Sequence, residues 1–239
     1  MFNSQVFAHR GASGSHFENT MSAFLAAVKQ GADGIELDVQ QTIDGTLVVI
    51  HDDQLSRVAG VDRQINEITS AELRHIKVGK TGSRKFFGQP VPNLFDIVSF
   101  CIDNELSLNI ELKETVYGQP AVIEKILHYT EGLADVHISS FDYPTLQLFK
   151  EQDARMETAL LMKKNSVDWA NLKSYEVDAF HFHKRLWKDP YQDYLKSSGK
   201  KLRMYGVTGT EPFLASSPEV IGWITDYPKR VQKKIKGSR

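Results

Sequence analysis

The sequence predicts an α/β fold, a TIM (β/α)8-type barrel running as one domain over 1–239. Three observations predict it. Segments of strand character alternate with helical segments along the chain, the order of a mostly parallel sheet covered by helices. At 239 residues the chain has the length of one such barrel. Histidines and charged side chains fall at the ends of several strands, where barrels of this type gather their sites.

The first strand is expected over Gln5–His9. The first helix follows over Glu18–Gln30, with Met21, Phe24, Leu25 and Val28 at helical spacing and Asn19 or Thr20 near its start. Gly34–Val39 is the second strand. Asp44-Gly45 reads as a tight turn, so Leu47–His51 returns antiparallel to it. From Asp53 to Pro92 the chain is polar, carries Gly60, Gly79, Gly82 and Gly88, and has one short helical segment, Ser70–Ile76. The stretch 53–92 is expected as a small insertion within the barrel. Helix Leu94–Asp103 then leads into strand Leu106–Leu112. The remaining helix–strand pairs are Pro120–Thr130 with Val136–Ser139, and Tyr143–Gln152 with Glu157–Leu161. Val167–Leu172 pairs with Val177–Phe182, Lys188–Ser198 with Arg203–Val207, and Glu211–Ser216 with Gly222–Thr225. Lys229–Lys236 closes the chain as a helix. Nine strands result, one more than an eight-stranded barrel needs.

Composition excludes several classes. Lys plus Arg is 29 against 30 for Asp plus Glu, so no global basic field points to nucleic acid. A single cysteine, Cys101, excludes an internal disulfide framework and a Cys-based zinc cluster, and reads as a small apolar filler. The longest apolar runs are far below the ~20 residues that span a bilayer. The opening MFNSQVFAHRG lacks the features of a signal peptide. The expectation is a cytosolic protein without a stable membrane anchor. The basic C-terminal run from Lys229 to Arg239 reads as a solvated helix, with a membrane-surface contact as the alternative.

Alternation places the chemistry. In Gly34–Gln40, Glu36, Asp38 and Gln40 share one face and Ile35, Leu37 and Val39 the other. In Leu108–Lys113, Asn109, Glu111 and Lys113 share one face. Carboxylates on a strand flanked by helices are costly unless paired. A hard divalent cation shared by Glu36, Asp38 and Glu111 removes that cost. Oxygen-only ligands select Ca²⁺ or Mg²⁺ over zinc. The alternative is a solvated polar face. His9 and His51 both end strands, at the mouth of such a barrel, and two facing imidazoles are suited to general acid and base work. Arg10 offers a phosphate its fork of donors and Lys113 a point charge. The inventory suits stabilising a phosphoryl transition state and protonating an alkoxide leaving group.

These motifs resemble the glycerophosphodiester phosphodiesterases. His9-Arg10-Gly11 followed by Glu18-Asn19-Thr20 looks like that family's opening signature. Gly34-Ile35-Glu36-Leu37-Asp38-Val39, Asp44-Gly45 through His51-Asp52, and Asn109-Ile110-Glu111-Leu112-Lys113 look like its later motifs. Arg57, Thr69–Leu73 and Val91-Pro92-Asn93-Leu94 resemble its small insertion. Ser139-Ser140-Phe141 and Ile224-Thr225-Asp226-Tyr227-Pro228 match further landmarks. The resemblance implies a TIM barrel that hydrolyses a glycerophosphodiester, such as glycerophosphocholine or glycerophosphoethanolamine, to sn-glycerol 3-phosphate and an alcohol. It implies Glu36, Asp38 and Glu111 as holders of the cation, His9 and His51 as the acid/base pair, and Arg10 and Lys113 on the phosphate. Glu18 would help at the mouth, and Tyr205 would substitute for the family's aromatic on the glycerol side. Phe141, after two serines at a strand end, reads either as a pocket wall or as plain packing.

The chain departs from the family pattern at Phe17, where a proline is usual, and at Tyr205-Gly206-Val207-Thr208-Gly209, whose glycines are expected to enlarge or loosen the pocket wall. That leaves two other readings: a looser pocket taking lysophospholipids, and a non-catalytic binding protein on the same barrel. His181 and His183 share a strand face, either as a pocket pair or as a polar cap. His137 is expected to face away from the site and His16 to be solvated.

Overall fold

The computed structural model describes residues 4–82 and 84–237. Eight parallel strands close on themselves: β1 (Gln5–His9), β2 (Gly34–Gln41), β6 (Ser107–Leu112), β7 (Val136–Ser140), β8 (Glu157–Met162), β9 (Ala179–His183), β10 (Lys201–Val207) and β11 (Val220–Thr225). β1 pairs with both β2 and β11, which completes the barrel. The ninth strand is β3 (Leu47–Val49), antiparallel on β2 behind the turn at Gly45. It lies outside the ring.

Helices α1 (Met21–Lys29), α5 (Leu94–Asp103), α6 (Pro120–Thr130), α7 (Tyr143–Gln152), α8 (Tyr191–Ser197) and α9 (Pro228–Lys236) cover the barrel. Their apolar faces and the outward residues of the strands, among them Ile35, Leu37, Leu108, Ile110, Phe180 and Trp223, form one buried cluster. Burial of that surface, worth about 25 cal/mol per Å², holds the ring closed. Cys101 is buried there. The basic helix α9 is present; Ser238 and Arg239 of the basic run lie outside the described residues.

Several elements are shorter than periodicity predicts. α1 starts at Met21, capped by Thr20, because Asn19 adopts a left-handed backbone (φ 53°) that no helix can include. Glu18 is therefore outside it. β3 ends at Val49, which leaves His51 just beyond the strand. Pro190 delays α8 to Tyr191. The expected helices at Val167–Leu172 and Glu211–Ser216 are 3-10 turns, at Trp169–Ser174 and Pro212–Ala215.

Between β3 and α5 the chain forms α2 (Ser56–Ala59), a 3-10 turn (Ile65–Glu67), α3 (Ser70–Leu73), β4 (Lys77–Val78), α4 (Arg84–Phe87) and β5 (Gln89–Pro90). It packs on a second buried cluster built from Val48, Ile50, Leu55, Val58, Ile65, Ile68, Leu73, Val78 and Val91. Those apolar residues follow no regular period, so the sequence pattern does not show them. Phe17, at the proline position, packs against the same cluster.

Candidate active site

Register brings the polar faces of neighbouring strands together inside the barrel. Asp38 lies opposite Glu111 in the β2–β6 ladder, and His9 opposite Glu36 in the β1–β2 ladder. Glu36, Asp38 and Glu111 are buried, and one carboxylate oxygen from each lies within 4.8 Å of the others. Glu36 Oε1 has no hydrogen-bond partner, and Asp38 Oδ1 has only the Lys113 ammonium, 2.9 Å away. Buried carboxylate oxygens converging on one point, one of them unpartnered, fit a hard divalent cation.

Two cations stand beside them. Lys113 Nζ lies 2.9 Å from Asp38 and also contacts Glu111. Arg10 Nε is 3.0 Å from Asp38, its backbone N–H donates to Glu36, and its Nη1 donates to Glu18. Arg10 holds a left-handed backbone (φ 54°) ahead of Gly11 (φ 80°), where a Cβ would come within 2.7 Å of Ala23. The turn therefore needs glycine at 11 and strains Arg10, which aims its side chain at the carboxylates. Asn19, also left-handed, donates from Nδ2 to Asp38.

These neighbours split the carboxylates. Burial raises Glu36 to about 7, with Asp38 and Glu111 adding repulsion against the pull of His9. Burial also raises Glu111, opposed by Lys113. Burial pushes Asp38 the same way, but Arg10, Lys113, His51 and the Asn19 hydrogen bond prevail and bring it to about 2. Lys113 is raised despite burial, by Asp38 and Glu111.

Each candidate imidazole has a carboxylate behind it. His9 Nδ1 is 2.7 Å from Asp226, and Ser13 Oγ donates to the same carboxylate. Its Nε2 lies 4.0 Å from Glu36. Burial lowers His9, yet Glu36 and Asp226 outweigh it and the net shift is upward. His51 Nδ1 is 2.6 Å from Asp52, which Arg57 clamps in turn. In both cases the hydrogen bond assigns the proton to Nδ1 and leaves Nε2 free.

One cavity of about 250 Å³ joins these groups. His9, Arg10, Glu36, His51, Glu111 and Lys113 line its polar side, and Phe141, Leu161, Tyr205 and Ile224 its apolar side. Phe141 and Tyr205 are among these lining residues, with Lys163 Nζ 4.3 Å over the Phe141 ring. Glu18 does not line this cavity: its carboxylate is taken by Arg10 and by Arg57, at 2.7 Å.

The lower barrel corrects the expectation for His137. His137 lies opposite Asn109 in the ladder and faces the lumen, not away from it. Its ring packs edge-on against Phe7 and His181, each at 5.3 Å. Burial and Arg203 hold both His137 and His181 well below the ordinary imidazole value, hence neutral. His181 reaches the cavity floor while His183 packs on Tyr205 at the rim, so the two do not act as a pair. The glycines at 206 and 209 do not loosen the wall. A Cβ at Gly206 would meet His183 Nε2 at 2.7 Å and one at Gly209 would meet Arg230, so these side chains already fill the space.

Comparison with known proteins decides the class. The model of the glycerophosphoryl diester phosphodiesterase family matches residues 9–230. The chain belongs to this family. It is a hydrolase, a phosphodiesterase on a TIM barrel. It is 34% identical over 185 residues to a glycerophosphodiester phosphodiesterase of Caldanaerobacter subterraneus subsp. tengcongensis, covering 74% of this chain and 76% of that one. It is 30% identical to the uncharacterized protein YqiK of Bacillus subtilis, over 97% and 98% of the two chains. A phosphodiesterase of Oleispira antarctica, solved with the product sn-glycerol-3-phosphate, shares the fold with a TM-score of 0.85 and 24% identity, over 98% of each chain.

Sequence reasoning assigned no role to Asp226, Asp52, Arg57 or Asn19. Asp52 adjoins His51 in sequence, a signal that was available. Asp226 lies 217 positions from His9, and only closure of the barrel brings them together.

Proposed function

We propose that this enzyme hydrolyses glycerophosphodiesters, such as glycerophosphocholine and glycerophosphoethanolamine, to sn-glycerol 3-phosphate and an alcohol. The observation that carries the reading is a cluster of three buried carboxylates, two of which, Glu36 and Glu111, line one cavity of diester size together with two cationic side chains and two carboxylate-backed imidazoles. Charge supports it. Three carboxylates against Arg10 and Lys113 leave one negative charge. A divalent ion makes that one positive, matching a phosphodiester anion.

Glu36, Asp38 and Glu111 would hold Ca²⁺ or Mg²⁺. When bound, that ion supplies charge neutralisation at a phosphoryl oxygen. It competes with the Lys113 ammonium for the same carboxylate oxygens, which leaves Lys113, with Arg10, to the phosphate. One imidazole accepts through Nε2 the proton of the attacking group, either water directly or a substrate hydroxyl that forms a cyclic phosphate which water then opens. The other donates a proton to the departing alkoxide, a division worth roughly 10²–10⁴ in rate. Asp226 and Asp52 hold the two rings in the required tautomer. Glu18 positions Arg10 by sharing its charge with Arg57, and Phe141, Leu161 and Tyr205 wall the substrate.

The lysophospholipid reading gains nothing from the groove of about 440 Å³ lined by Met21, Val48, Leu73, Arg74, Pro90 and Asp96, because none of its lining residues is shared with the catalytic cavity. No helix among the described residues is long and apolar enough to cross a membrane; a cytosolic location is part of the proposal.

The test is release of glycerol 3-phosphate from glycerophosphocholine with Ca²⁺, Mg²⁺ or EDTA, beside His9→Ala. Release that needs the metal and vanishes in His9→Ala is expected. No release from any glycerophosphodiester with either metal overturns the reading.

A further inference from the structure

The strands β4 and β5 pair antiparallel, Lys77 with Pro90 and Val78 with Gln89. They carry the tip 79–88 between them. Its base is fixed: Val78 is buried in the second cluster, and the Gln89 side chain is bonded to Ser22 at the start of α1. Beyond the base, two side chains are bare: Phe86 is 76% exposed and Phe87 78%, with ring centres 6.5 Å apart. Two adjacent, exposed phenyl rings on an anchored hairpin are an apolar feature that solvent disfavours.

The surrounding charge selects what covers them. From Leu73 to Phe95 the sequence holds Arg74, Lys77, Lys80, Arg84 and Lys85, and no Asp or Glu. That concentration stands out in a chain whose net charge is −1. A second copy is a poor occupant, since a two-fold contact sets the same basic segment against itself. Anionic phosphate headgroups over an apolar layer match both properties, cations to the surface and aromatic rings into the headgroup–acyl boundary.

We propose that the 79–88 tip docks the enzyme reversibly on anionic lipid surfaces, with Phe86 and Phe87 as the inserted side chains. The base of the tip lies near the candidate site. Val78 of β4 lines a small hollow together with Glu18, Asn19 and His51. Docking therefore holds the cavity near the bilayer without using any residue of the reaction.

Vesicle co-sedimentation tests this and needs no turnover, so it stands or falls apart from the reaction proposed above. Vesicles of phosphatidylcholine alone are compared with vesicles that also contain phosphatidylglycerol, at low and high salt. Wild type is expected to partition onto the phosphatidylglycerol vesicles and to leave them at high salt. Phe86→Ala/Phe87→Ala and, separately, Arg84→Gln/Lys85→Gln are each expected to cut that partition by about tenfold or more. Turnover of a soluble diester and the far-ultraviolet circular dichroism should stay as in wild type. The proposal is overturned if wild type sediments with neither vesicle, if it binds both compositions alike, or if Phe86→Ala/Phe87→Ala binds as wild type does. A concentration-dependent dimer broken by that variant, in place of vesicle binding, overturns it in favour of self-association.

Discussion

At His9 the carboxylate behind the ring decides which nitrogen is free. Asp226 takes Nδ1, so Nε2 faces the cavity. Asp226→Asn keeps the size of the side chain but removes the charge that stabilises a protonated ring. It should lower kcat by about a hundredfold and leave metal affinity at the Glu36, Asp38 and Glu111 cluster unchanged. Steady-state kinetics beside a metal titration separate these effects; equal loss of both would assign Asp226 a purely structural role. Glu36 predicts a proton. Its folded value is raised to about 7, so the metal-free protein holds a proton there that the unfolded chain has lost. This contribution to stability is full below the ordinary glutamate value and disappears as pH rises through about 7. Metal binding needs the carboxylate. Below pH 7, affinity should therefore climb by up to about tenfold per pH unit, with proton release, and level off above it. Titration calorimetry in two buffers of different ionisation enthalpy reads the proton directly. Asp38 behaves in the opposite sense: depressed to about 2, it favours the folded state at neutral pH and loses that contribution only as pH falls toward 2.

At the scale of elements, β10 shows how a strand adapts to its neighbour. Gly206 (φ 78°) sits where the ladder with β11 shifts register, and the space its Cβ would need belongs to the His183 ring. Gly206→Ala should destabilise the protein by about 1–3 kcal/mol, from strain at positive φ plus the clash. Adding His183→Ala should recover only the clash. Chemical denaturation of the single and double variants measures both parts, and full recovery would show that the backbone carries no strain. The same strand marks what the sequence made legible. A period of two set Glu36 with Asp38 and Glu111 with Lys113 on one face, because strand geometry obliges it. The family resemblance, not alternation, put Tyr205 on the pocket wall. Alternation did not show that His183 fills the gap at Gly206, since that depends on the register of β9 against β10. Left-handed Asn19 cut α1 short for a local reason that helical spacing does not record. The short elements of 53–92 escaped because three-residue and four-residue turns are too brief for any period to show. Of the site, the strand-borne charges were legible, while Asp226 and the Arg57 clamp on Glu18 and Asp52 arise from tertiary closure.

The whole barrel is needed to assemble this site. Glu36 and Asp38 stand on β2, Glu111 on β6, His9 on β1, and Asp226 just beyond β11, across the seam where the ring closes. Opening the barrel separates these groups, so a cation bound to them stabilises the global fold and not one local segment. At a free concentration about one hundred times Kd the linkage is roughly 2.7 kcal/mol. For a chain of this size that is a rise in Tm of about 5–10 °C. Glu111→Gln should abolish most of the rise. Lys113→Met should do the reverse. In the metal-free protein the ammonium is what neutralises Asp38 and Glu111, and removing one partner of a buried ion pair costs about 3–5 kcal/mol. A divalent cation can take over that neutralisation, so the variant should begin at a lower Tm than wild type and recover more when metal is added. Calorimetric scans with EDTA and with Ca²⁺ or Mg²⁺ put the three proteins in order. A metal-induced rise smallest in Glu111→Gln, intermediate in wild type and largest in Lys113→Met is expected. An equal rise in all three would place the cation away from these carboxylates.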